Sequence, residues 1–140
     1  AIRAGDPAST ITPVVRIPLA ARDAPQAVVK QVLDAGVSGV MFPDIETRAQ
    51  AIAAVSSLGV GRAAGAGVWP LDPAGTLVAM LQIETLAGIE HLDEILDVPG
   101  IGVIFLGPTD LATSAGEEGP NAPRVEALVQ EVVMRIGRKA

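Results

Sequence analysis

The chain has 140 residues, 49% of them hydrophobic, with a net charge of −6 and no cysteine. That length allows one domain with a real core, and the absent cysteines exclude disulfides and thiolate metal sites. The acidic balance and only three aromatics (Phe42, Trp69, Phe105) argue against a nucleic-acid partner, which needs a basic face and stacking platforms. Mean hydropathy is high at +0.44. Even so, no apolar run reaches the roughly 18 residues that span a bilayer, and no basic-then-apolar leader opens the sequence. A soluble, cytoplasmic protein without a membrane partner is expected.

Residues 1–13 form a turn-rich entry with Gly5-Asp6-Pro7 and Ser9-Thr10. Val14 to Pro18 then reads as a short strand. Asp23 and Gln26 have capping-box spacing, Pro25 suits a first helical turn, and Val28, Val29, Val32 and Leu33 supply a buried stripe. Gly36 is placed to end that helix. Residues 39–43 (GVMFP) are a second strand. Thr47 and Gln50 repeat the capping-box spacing before a helix carrying Ala51, Ile52, Val55 and Leu58. Strand–helix–strand–helix alternation predicts an α/β fold with a parallel sheet. Residues 59–76 break the pattern: glycine and proline crowd the stretch, and only Gly61-Arg62-Ala63 suggests a strand remnant.

The central unit follows. Two apolar runs, residues 77–81 and 102–106, end in Gln82-Ile83-Glu84-Thr85 and Gly107-Pro108-Thr109-Asp110. Between them Leu86, Ile89, Leu92, Ile95 and Leu96 recur at helical spacing. Parallel strands are usually covered on both faces, which accounts for their nearly unbroken apolar character. Glu84 and Asp110 are 26 residues apart, one βα repeat, so they are expected at the same carboxyl-end rim, where α/β folds place ligands. Their side chains could meet over a single ion. Helix resumes at Leu111 and fails at Gly116. A last helix starts at Asn121 and Pro123, with Val125, Leu128, Val129, Val132, Val133 and Ile136 as its stripe. Arg135, Arg138 and Lys139 complement its negative end.

The runs VVRIP, LDAGVSGVMFPDIET, LQIET and GPTDLATSAG, in this order from about residue 11 to residue 116, resemble the HpcH/HpaI aldolase/citrate lyase family. The resemblance implies a (β/α)8 TIM-barrel type that uses a divalent metal and pyruvate-like enolates. It makes Glu84 and Asp110 the metal ligands, sets Arg16 against the substrate's carbonyl or enolate oxygen, and matches Gln82 to an active-site glutamine. It also has the backbone of Gly107, Pro108 and Thr109, through to Asp110, receive the substrate carboxylate. The chemistry is coherent. Two carboxylates with open positions suit a hard octahedral ion, Mg2+ or Mn2+, and a 2-oxo acid chelates such an ion through its carboxylate and keto oxygens. Arg16 adds a planar positive fork beside the same oxygen.

Each residue also has a structural reading. Glu84 or Asp110 alone would serve as a helix cap, Arg16 as half of an ion pair, and Gln82 as a hydrogen-bonding group inside the barrel. Asp44 and Glu46 read first as a solvated helix start, with a place at the site as the alternative. His91 reads as a surface histidine and Trp69 as a loop anchor.

The chain also departs from the family. A full barrel needs about 250 residues, and about four βα units are present here, so one partial barrel domain over residues 1–140 is expected. The family's catalytic histidine with its acidic partner, and its last two strands, have no counterpart. Residues 59–76 are shorter than the family's Pro-Pro-x-Gly-x-Arg segment, with Arg62 as a possible remnant. The expected function is a class II aldolase that cleaves a 4-hydroxy-2-oxo acid to pyruvate and an aldehyde, working as a homo-oligomer. The alternatives are a citryl- or malyl-CoA-type lyase or other phosphoenolpyruvate-utilising barrel, and a non-catalytic half-barrel that binds metal or a partner subunit. The local failures of pattern also predict a longer parent chain, with breaks to be sought in residues 58–76 and 114–121.

Overall fold

The computed structural model describes residues 11–59 and 65–139. Five strands, β1 (Val14–Arg16), β2 (Gly39–Phe42), β3 (Val68–Trp69), β4 (Leu77–Ile83) and β5 (Ile101–Leu106), make one wholly parallel sheet. The longest strand, β4, is its axis. One of its edges pairs with β2, whose far side carries β1; its other edge takes β3 at Leu77 and Val78, then β5 from Ala79 onward. Among the described residues there are six α-helices: α1 (Gln26–Asp34), α2 (Arg48–Ser56), α3 (Leu86–Glu90), α4 (Leu92–Leu96), α5 (Pro108–Ala115) and α6 (Pro123–Gly137). None of the described helices is long and apolar enough to cross a membrane. The architecture is an α/β fold with a parallel sheet, as the alternation predicts, and it agrees with the partial barrel that the resemblance implies.

The core lies where helices cover the middle strands. Val40 and Phe42 of β2 and Ala79, Leu81 and Ile83 of β4 meet Val29 and Leu33 of α1, Ala51 and Ala54 of α2, and Leu92 and Ile95 of α4. Each fully buried branched side chain contributes about 1.5–3 kcal/mol. Small residues let α2 lie close to the sheet, which is why Ala51 and Ala54 are buried while Ile52 is 40% exposed. The edge strands depart from the expectation of two covered faces. Both β1 and β5 are only partly buried, and Phe105 on β5 is exposed, because neither has an outer strand among the described residues.

Several local expectations are met and others corrected. Thr47 caps α2 as expected: its Oγ1 accepts from Gln50 N–H at 3.2 Å, and Gln50 Oε1 accepts from Thr47 N–H at 3.1 Å. Asp23 does not cap α1, which starts after Pro25 without a side-chain cap. Its carboxylate instead accepts from Gln50 Nε2 at 2.8 Å, tying the two helix starts together.

The helix expected over residues 86–96 is broken at His91, whose Nδ1 lies 3.0 Å from Glu46 O. A carbonyl only accepts, so Nδ1 carries the proton. Gly61-Arg62-Ala63 lie outside the described residues. The strand found in that region is Val68–Trp69, too short to show a period, closed onto β4 by a turn in which Leu77 N–H donates to Gly67 O at 3.1 Å. Trp69 leans over Gly102, where an added Cβ would come within 3.1 Å of its ring. Gly102 is the extra residue of a bulge, because Ala79 pairs with Ile101 and Met80 with Val103.

The end of the chain is held differently from the dipole argument. Arg135 Nη1 donates to Ile89 O at 2.8 Å, capping α3 rather than its own helix, and the same side chain pairs with Asp93 and Glu131, each at 3.2 Å. Lys139 pairs with Asp97. Because Arg135 is only 18% exposed, Arg135→Ala is expected to lower unfolding stability in urea by roughly 1.5–3 kcal/mol. Lys139→Ala is expected to cost less than about 1 kcal/mol.

Candidate active site

The carboxyl ends of β1, β2 and β4 and the start of α5 enclose a cleft of about 520 Å³, walled by Arg16, Leu19, Pro43, Asp44, Glu84 and Asp110 among others. Strand order explains the grouping. Phe42 pairs with Leu81, and Arg16 with Met41, so the chain leaves three neighbouring strands at one rim. Ile83 pairs with Leu106, which brings the Gly107 turn and α5 alongside Glu84.

Glu84 is the buried member, at 2% exposure. Its Oε1 accepts from Asp44 N–H at 3.1 Å, and its Oε2 is buried with no hydrogen-bond partner. Burial raises its carboxyl from the ordinary 4.5 to about 7. The Asp44 N–H opposes that rise, while the Asp44 side chain and the Asp110 charge add to it. Gly107 makes the arrangement possible, because a Cβ there would fall 2.4 Å from Glu84 Oε2. Gln82, two residues back on β4, sits behind Glu84 at 7% exposure with its own Oε1 unpartnered.

Asp110 and Arg16 both line the cleft and are exposed. The cost of a buried arginine therefore does not arise, and among the described residues Arg16 makes no ion pair. Pro108 and Thr109 open α5, and the first helical bond is Leu111 N–H to Gly107 O at 2.9 Å. The N–H groups of Thr109 and Asp110 thus precede the helical ladder and point out of its start.

The structure brings Arg16, Glu84 and Asp110 to one cleft, with Gln82 and Gly107 backing the carboxylate. His91 is turned away to Glu46. Two residues were given too little weight by sequence reasoning. Asp44, read first as a solvated helix start, lines the cleft and holds Glu84. Arg22 reaches the same turn, donating to Asp44 O at 2.9 Å and to Glu46 Oε2 at 3.0 Å. Only the position of Asp44 one residue beyond Pro43, at a strand's carboxyl end, hinted at this. Among the described residues no three or more His, Asp or Glu side chains converge to hold an ion, so the available carboxylate donors are few.

Comparison with known proteins gives these features a setting. The sequence model of the HpcH/HpaI aldolase/citrate lyase family matches residues 2–140. A 2-dehydro-3,6-dideoxy-6-sulfogluconate aldolase of Pseudomonas putida is 35% identical over 138 residues, spanning 88% of this chain and 52% of that protein. A hydroxypyruvate/pyruvate aldolase of Cupriavidus necator is 37% identical over 142 residues, spanning 90% and 51%. The crystal structure of an HpcH/HpaI family protein from Burkholderia cenocepacia J2315 superposes with a TM-score of 0.72 at 29% identity, over 91% of this chain and 55% of that one. The chain spans about half the length of the curated relatives it matches. With the family model covering nearly every residue and the parallel sheet matching a family structure, the chain belongs to the HpcH/HpaI aldolase/citrate lyase family.

Proposed function

We propose that the chain carries the cation- and substrate-binding part of a pyruvate-type aldolase, which cleaves a 4-hydroxy-2-oxo acid to pyruvate and an aldehyde. The observation that carries this reading is Glu84 Oε2: a carboxylate oxygen buried without a partner, accommodated by the missing side chain of Gly107, on a residue that shares a cleft with Asp110 and Arg16. A divalent cation fits that donor set. It would satisfy the orphaned oxygen and offset the negative charge of Asp44 and Asp110 that bears on Glu84, so Glu84 and Asp110 are its proposed holders. When bound, Mg2+ or Mn2+ supplies Lewis-acid stabilisation of negative charge developing on the substrate's keto oxygen.

The chain's own groups do the rest. The Arg16 guanidinium, exposed in the cleft and in no ion pair among the described residues, would steady the same developing charge. The N–H groups of Thr109 and Asp110 at the start of α5 would receive the substrate carboxylate. Gln82, behind Glu84, has an amide free to orient substrate or a water. The proton-handling group is taken to come from outside residues 11–139, since the single histidine faces Glu46. Cytoplasmic location and self-assembly complete the proposal. The CoA-lyase alternative gains nothing from the site: Arg22 is committed to Glu46 and Asp23, and Arg16 is the one basic side chain among those lining the cleft.

The function is tested by assaying the protein at its full natural length with pyruvate, Mn2+ and a panel of aldehydes. Carbon–carbon bond formation that is lost in Glu84→Gln and in Asp110→Asn is expected; activity indifferent to both would sink the assignment. Arg16→Lys is expected to lower kcat roughly a hundredfold with little change in cation affinity, because an ammonium cannot replace the fork. Gly107→Ala is expected to weaken Mn2+ binding by roughly tenfold or more, measured by calorimetry, since its Cβ displaces Glu84 Oε2.

The cation should also act in a pH-dependent way. The folded carboxyl of Glu84 is raised, so its contribution to the stability of the metal-free protein is fully present below about 4.5, where both states are protonated, and is lost as pH rises through about 7. A cation competes with that proton. The rise in Tm on adding Mn2+ is therefore expected to be small at a pH near the ordinary carboxylate range and to grow until pH passes about 7. A Tm shift independent of pH over that window would count against Glu84 as a ligand.

A further inference from the structure

The turn from β2 to α2 has an unusual backbone. Asp44 sits at φ +48°, the left-handed region that residues bearing a Cβ rarely enter. It is held there from both sides. Its carbonyl accepts from Arg22 Nη1 at 2.9 Å, and its N–H donates to Glu84 Oε1 at 3.1 Å. The next N–H, of Ile45, donates to Gln82 O at 3.0 Å, so the turn is docked onto the end of β4 at two consecutive residues. Arg22 is itself fixed by Glu46 Oε2 at 3.0 Å and Asp23 at 3.4 Å.

The consequence falls on Glu84. With Oε1 engaged by a fixed backbone donor, Oε2 is the oxygen left without a partner. Oε2 lies against Gly107, buried and without a hydrogen-bond partner. Small octahedral ions accept such single-oxygen carboxylates, whereas Ca2+ takes six to eight oxygens and often a two-oxygen carboxylate. We propose that Arg22 and the left-handed Asp44 are positioning residues that restrict Glu84 to one free oxygen and so set the site for a small octahedral cation against Ca2+. This rests on the reading of Glu84 and Asp110 as the cation pair. The side chain of Asp44 is secondary; its backbone conformation is what the fold uses.

The test compares Mn2+ and Ca2+ affinities by calorimetry in the wild-type protein and in Arg22→Ala, Asp44→Asn and Asp44→Val. Amide hydrogen exchange at residue 44 is followed in metal-free buffer. Asparagine tolerates the left-handed region and valine does not, while both remove the charge. Arg22→Ala and Asp44→Val are expected to exchange the residue-44 amide faster, to lose roughly tenfold or more in Mn2+ affinity, and to narrow the Mn2+/Ca2+ ratio. Asp44→Asn is expected to lose several-fold less than Asp44→Val. Equal losses in Asp44→Asn and Asp44→Val would assign the effect to charge and overturn the proposal. So would a wild-type ratio in folded Arg22→Ala. Should Arg22→Ala fail to fold, the Asp44 pair decides alone. If the wild type binds no Mn2+, the cation-pair reading falls and takes the proposal with it. If Mn2+ binds but the ratio does not move, only the positioning role falls.

Discussion

A carboxylate taken out of water at the end of the central strand is the constraint on which the rest of the site depends. Burying an ionised group without a compensating partner is among the costliest things a fold can do. Here Glu84 is given one backbone donor and a pocket without a side chain behind it, while two further acids stand near. Such an arrangement makes poor sense as a stability device. The proposed cation would relieve that deficit.

Tolerating that deficit requires a stiff surround, and the sheet provides it. β4 is paired along both edges, so the end of the strand cannot drift. The residues that reach Glu84 come from the turn after β2 and the turn after β5, the two neighbours that fix its register. Peripheral elements are then free to differ, which is why the edges at β1 and β5 can stay partly uncovered while the rim is fully specified.

Much of this was legible in the sequence because it rests on periodicity and on residue types at strand ends. The apolar runs before Gln82-Ile83-Glu84 and Gly107-Pro108-Thr109 located β4 and β5, and the Thr47/Gln50 spacing located the start of α2. What escaped were features made by contact between distant segments. The pairing of Asp23 with Gln50 links residues 27 apart, so local spacing suggested a cap that does not form. The role of Arg22 has no signal in the sequence, because its target is a carbonyl 22 residues away and every residue carries a carbonyl. The left-handed backbone of Asp44 had no signal either, since glycine would be the usual marker of that conformation. His91 broke a helix that its flanking residues favoured, through a bond to Glu46 that only tertiary structure supplies.

The bulge at Gly102 has a consequence for how this protein can vary. Strand side chains alternate, so the phase of residues 103–106 is set by the one unpaired residue that precedes them. Exchanging a side chain within that run leaves the phase intact. Removing a single residue would turn the whole run over and carry Gly107 away from the Glu84 carboxylate. The β4–β5 junction is therefore tolerant of chemistry and intolerant of length. Changes in length are better accommodated in turns such as residues 70–76 and 116–122, where the chain lies outside the β4–β5 ladder.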